Sequence, residues 1–85
     1  MDEMFKQFSV NFHRKLKNTV NGGVKCTVDM TEDKLYIEIE RLGVQYKTSV
    51  DKISEIIANG ETDIEIAFDK VVKRYRSFIN HKFFY

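Results

Sequence analysis

Apolar residues first recur at helical spacing. Met1, Met4, Phe5, Phe8, Phe12, Leu16 and Val20 fall three or four positions apart, and Lys6, Gln7, Asn11, Arg14, Lys15 and Asn18 occupy the other side. That pattern predicts an amphipathic helix. Asn21-Gly22-Gly23 tolerates positive φ and ends it. From Val24 the period drops to two. Val24, Cys26, Val28 and Met30 alternate with Lys25, Thr27 and Asp29, and Leu35, Ile37 and Ile39 alternate with Tyr36, Glu38 and Glu40. Val44, Tyr46, Thr48 and Val50 alternate in the same way with Gln45, Lys47 and Ser49. Turns at Thr31-Glu32-Asp33-Lys34 and Leu42-Gly43 separate the three runs, which together predict an antiparallel meander with one apolar face. Helical spacing returns at Ile53, Ile56 and Ile57, with Asp51 as the expected N-cap and Asn59-Gly60 as the stop. A longer last helix is predicted from a Thr62…Glu65 capping box, through a stripe of Ile64, Ala67, Phe68, Val71, Val72, Tyr75, Phe78, Ile79 and Phe83.

The order α-β-β-β-α-α predicts an α+β fold, a three-stranded antiparallel meander with helices packed on one face. The length of 85 residues leaves room for one core, so residues 1–85 are read as a single domain, and seven Phe and four Tyr are enough aromatics to fill it. The opposite sheet face is expected to be wet, or to be where a partner or a second copy docks.

Candidate chemistry is sparse. A single cysteine excludes an internal disulfide framework, and one cysteine with two histidines argues against structural zinc. The acidic Asp29…Glu32-Asp33 turn lacks the oxygen spacing and glycine of a calcium loop. No metal and no cofactor are expected. Cys26 reads as a buried thiol, and His13 and His81 as ordinary surface histidines. The Glu38/Glu40 pair lies on a strand face with no pocket implied, and no nucleophile elbow, P-loop or dinucleotide fingerprint occurs. The chain is expected not to be an enzyme. Met1-Asp2-Glu3-Met4 opens with acids and no long apolar stretch, so neither a secretory signal nor a membrane partner is expected, and the cytoplasm is the expected location.

Charge adds one local feature. The net charge of +1 names no partner by itself, but Lys70, Lys73, Arg74, Arg76 and Lys82 concentrate bases on the last helix. Such a patch suits phosphate contacts, and merging it with Lys6, Arg14, Lys15 and Lys17 of the first helix would enlarge it. Bases late in a helix also suit its dipole. The helix–three strands–helix order resembles double-stranded-RNA-binding domains. Where that family carries lysines after the sheet, however, this chain reads Ser49-Val50-Asp51-Lys52.

The absence of proline and tryptophan, the Lys/Asn/Ile usage and the motif-free surface resemble small proteins of phages and prophages of Gram-positive bacteria. The length and element order are similar to one family of anti-CRISPR proteins that block Cas9, with the meander at Val24 to Val50 and the two helices at Lys52–Asn59 and Asp63–Phe83. That family is strongly acidic and imitates DNA. This chain is neutral, so no functional residue is carried over. The resemblance implies a non-enzymatic phage or mobile-element protein, in the host cytoplasm, that binds and inhibits or modulates a larger protein machine such as a CRISPR nuclease. Asp29, Tyr36, Glu38, Glu40 and Lys47 on the sheet, with Phe84 and Tyr85 of an aromatic tail, are the expected protein-binding residues. A nucleic-acid-binding regulator using the basic helix is the first alternative. A self-associating assembly protein, a homodimer in its simplest form, is the second.

Overall fold

A computed structural model describes the backbone of residues 2–84 and the side chains of residues 3–83. Met1, the Phe84 side chain and Tyr85, all part of the expectations above, lie outside the described residues. The elements run α1 (Asp2–Thr19), β1 (Gly23–Asp29), β2 (Lys34–Arg41), β3 (Val44–Asp51), α2 (Ile53–Asn59) and α3 (Glu61–Phe84). The fold is α+β. The strands form one antiparallel sheet in the order β1-β2-β3.

The apolar stripes meet on one side of the sheet. Phe5, Phe8, Phe12, Leu16 and Val20 of α1 pack with Leu35, Ile37 and Ile39 of β2, Val50 of β3, Ile53 of α2, and Ala67, Phe68, Val71, Val72, Tyr75 and Ile79 of α3. Two ring contacts tie the layers. Phe12 meets Phe68 edge-on, with centroids 5.6 Å apart, joining α1 to α3. Tyr46 packs against Tyr75 at 5.9 Å and Phe78 at 4.9 Å, joining β3 to α3. Lys15 crosses from α1 to bond Glu65, and its ammonium lies 4.9 Å from the Phe68 ring centroid.

Turns set the register. Leu42 and Gly43, at φ 52° and 79°, form the two-residue loop between the paired residues Arg41 and Val44. Positive φ at both positions is the type I′ geometry that matches strand twist. After α1 the chain passes so close to β2 that a Cβ on Gly22 would stand 2.5 Å from the Glu40 carbonyl oxygen, which leaves glycine alone at that position. Asp29 Oδ1 accepts the N–H groups of Thr31 and Glu32, both at 3.0 Å, and closes the β1–β2 turn.

Four local expectations are corrected. Asp51 ends β3 and does not cap α2. Asp33 does so from the β1–β2 turn: its Oδ1 accepts the Ser54 N–H at 3.0 Å, its Oδ2 accepts the Ser54 hydroxyl, and its carbonyl accepts the Ile53 N–H at 3.2 Å. The Thr62…Glu65 capping box does not form, because α3 begins at Glu61 and Glu65 is drawn to Lys15. Met30 falls past the end of β1 and is exposed rather than inward. Phe83 leaves the core stripe, because its end of α3 has passed the sheet. There the Arg41 guanidinium lies 5.9 Å from its ring centroid.

Candidate functional site

The uncovered face of the sheet collects the predicted sheet residues. In register, Lys25, Glu38 and Lys47 form one row across the three strands, Thr27, Tyr36 and Ser49 the next, and Glu40 pairs with Gln45. Period-two alternation turns all of them away from the helices. Glu38 and Lys47 approach to 3.8 Å, a contact of small energy at this exposure. Tyr36 stands near the centre of the face, 40% exposed. Its hydroxyl donates to Glu32, and that hydrogen bond holds the phenol above its ordinary pKa range. Tyr36 is therefore an amphipathic donor at neutral pH, set among Glu38, Glu40 and Lys47. Asp29 is placed differently from the other four. Its carboxylate is engaged by its own turn, so its first role is to shape the edge of the face.

The hairpin tip beside this face carries a residue that the sequence reading placed in a turn and gave no part in binding. Leu42 is 79% exposed and holds a left-handed backbone that asparagine or glycine would adopt at lower cost. The available signal was a leucine in a two-residue turn.

The basic residues of α3 do not form one face. Lys70, Lys73, Arg74, Arg76 and Lys82 are all exposed. Lys70 and Arg74 line a groove against β3, whereas Arg76 lines another against the end of α1 with Arg41. Lys82 lies over the Phe78 ring, 5.9 Å from its centroid. The patches of the two helices do not merge. Lys15, the base of α1 that crosses to α3, meets Glu65 there. Lys6 and Lys17 share the helical phase of His13, which faces β1.

The remaining chemistry is structural. His13 is half-buried, and its Nε2 donates to the Val24 carbonyl at 2.9 Å, so it is more than the surface histidine expected. Cys26 faces inward, and burial raises its thiol pKa to about 11. Among the described residues no group of three or more His, Cys, Asp or Glu side chains could hold a metal ion, and no helix is long and apolar enough to cross a membrane. No family model, curated protein or solved structure is significantly similar to the chain.

Proposed function

We propose that the chain is a non-enzymatic binding module that docks on a larger protein machine through its outer sheet face and occludes or modulates it. The observation that carries this reading is the face itself. All three helices pack on one side, and the other presents Tyr36 amid Glu38, Glu40 and Lys47, beside the strained, exposed Leu42. An exposed aromatic ringed by charges of both signs suits a protein surface better than a phosphate backbone. A phage-encoded inhibitor of a CRISPR nuclease is the narrowest form of this proposal, and it draws on element order and size alone.

The exposed bases Lys70, Lys73 and Arg74 support a second reading, nucleic-acid binding by α3. One pull-down from bacterial lysate, with and without nuclease, separates the two. The first reading expects a defined protein retained after nuclease by the wild type and lost by a Glu38→Lys/Glu40→Lys variant of unchanged circular dichroism. If that variant keeps every partner, the sheet-face reading is wrong. Loss of all partners on nuclease treatment, sensitive to Lys73→Glu/Arg74→Glu, transfers the function to α3.

A further inference from the structure

The two edges of the sheet are treated differently. On β1, His13 already occupies the Val24 carbonyl, which fixes the phase of the whole ladder. In antiparallel pairs, residues whose backbone groups face a neighbouring strand alternate with residues whose groups face away. Val24 faces away from β2, and so do Cys26 and Val28. Their cross-strand partners Ile39, Ile37 and Leu35 then bond to Tyr46, Thr48 and Val50 of β3. Lys47, Ser49 and Asp51 consequently aim their N–H and C=O groups off the free edge. That edge contains no proline and is rich in β-formers, Val44, Tyr46, Thr48 and Val50.

Beside it, on the helical side, a groove of about 340 Å³ separates β3 from α3 and is lined by Ser49, Asp51, Asp63, Ile66, Lys70 and Arg74. Ile66 is 49% exposed there. Asp63, Ile66 and Lys70 lie at three- and four-residue steps, so one side of α3 reads acid, apolar, base. The free edge of β3 reads Lys47, Ser49, Asp51. Each stripe is its own complement when turned end for end.

We propose that this edge and stripe bind a second copy of the chain, about a two-fold axis normal to the sheet and passing through Ser49. Ser49 then exchanges backbone hydrogen bonds with its counterpart, and Lys47 stands opposite Asp51 of the second copy, twice. The charges favour this register, which is the one that pairs each Lys47 with an Asp51. An axis at Lys47 would set two lysines face to face, and like charges directly opposite destabilise a sheet. The axis at Ser49 also passes beside Ile66 and Ala67, which line the same groove. The two α3 helices then run antiparallel, with Asp63 facing Lys70 of the second copy around an apolar centre. The product is a six-stranded antiparallel sheet with every helix on one side and the outer face doubled in area. The proposal does not depend on what that face binds.

Sedimentation equilibrium over a concentration series tests it. The expected wild-type mass rises with concentration from that of the 10.1 kDa chain toward twice that value. Ser49→Pro removes an outward N–H without touching the internal ladder, and Lys70→Glu replaces attraction with repulsion. Each is expected to weaken dimerisation about tenfold or more, which is 1.4 kcal/mol or above. Thermal melting of dilute samples should stay near wild type, and Asp63→Lys/Lys70→Glu should restore the dimer. A one-chain mass up to about 1 mM overturns the proposal. So does a dimer indifferent to Ser49→Pro and Lys70→Glu, which would assign association to another surface, such as the apolar groove around Met4 and Ile64 between α1 and α3.

Discussion

Replacing Asp33 should separate two energies that meet in one residue. Its carboxylate caps α2 through Ser54, and its backbone sits at φ 56°. Removing a side-chain cap costs about 1 kcal/mol, and holding an ordinary L-residue in the left-handed region costs about 1 kcal/mol more. Asp33→Ala carries both penalties and should lose about 2 kcal/mol. Asp33→Gly loses the cap but relieves the backbone, so about 1 kcal/mol is expected. Asp33→Asn keeps an acceptor for the Ser54 N–H and tolerates the conformation, so about 0.5 kcal/mol is expected. At roughly 0.05–0.15 kcal/mol per residue, a chain of this length is stable by roughly 4–13 kcal/mol, so the alanine variant forfeits a large share. Urea titration followed by circular dichroism should show midpoints ordered wild type, Asn, Gly, Ala, with a common slope. Melting temperature should fall by about 10 °C for Ala. Identical Gly and Ala variants would refute the backbone argument. All three variants within about 0.5 kcal/mol of wild type would refute the cap.

Three further outcomes are expected. Gly22→Ala should destabilise by about 1–3 kcal/mol in the same titration, because its Cβ would meet the Glu40 carbonyl oxygen, a backbone atom that cannot swing aside. Leu42→Asn should raise stability by about 1 kcal/mol by relieving the type I′ turn, while lowering retention of the partner in the pull-down if the hairpin tip makes contact. Cys26, its pKa raised to about 11 by burial, should react with a thiol reagent at pH 8 about 250-fold more slowly in the native chain than in urea, because the thiolate fraction falls from about one in four to about one in a thousand.

Periodicity and turn chemistry carried the sequence a long way. The Phe5–Val20 stripe, the three alternating runs and the long stripe after Gly60 became the elements they predicted, because burial decided most positions, Met30 and Phe83 excepted. What sequence could not supply was interaction between distant segments. Asp51 was the nearest acid before α2, but the cap is Asp33, 21 residues upstream of Ser54, brought there only when the hairpin folds. Glu65 looked like half of a capping box, but Lys15 from α1 claims it. Tyr75 fitted its stripe as an apolar ring, and the periodic pattern gave no sign that its buried hydroxyl would lack a partner among the described residues. The sheet-face residues were legible as a set, because period two alone puts Tyr36, Glu38 and Glu40 on the same side. The splitting of the basic residues between two grooves was not, because it depends on which neighbours flank α3.

The bond from His13 to Val24 has a consequence for how many chains can join. A sheet with two free margins adds copies at both ends and grows into a filament without a natural length. Here α1 sets its imidazole on one outward group of the β1 margin, the Val24 carbonyl. A copy arriving at that margin has to displace this bond, which favours pairing at β3 and biases growth toward two. Replacing His13 with alanine removes the obstacle, and masses above that of a dimer in sedimentation are the outcome expected.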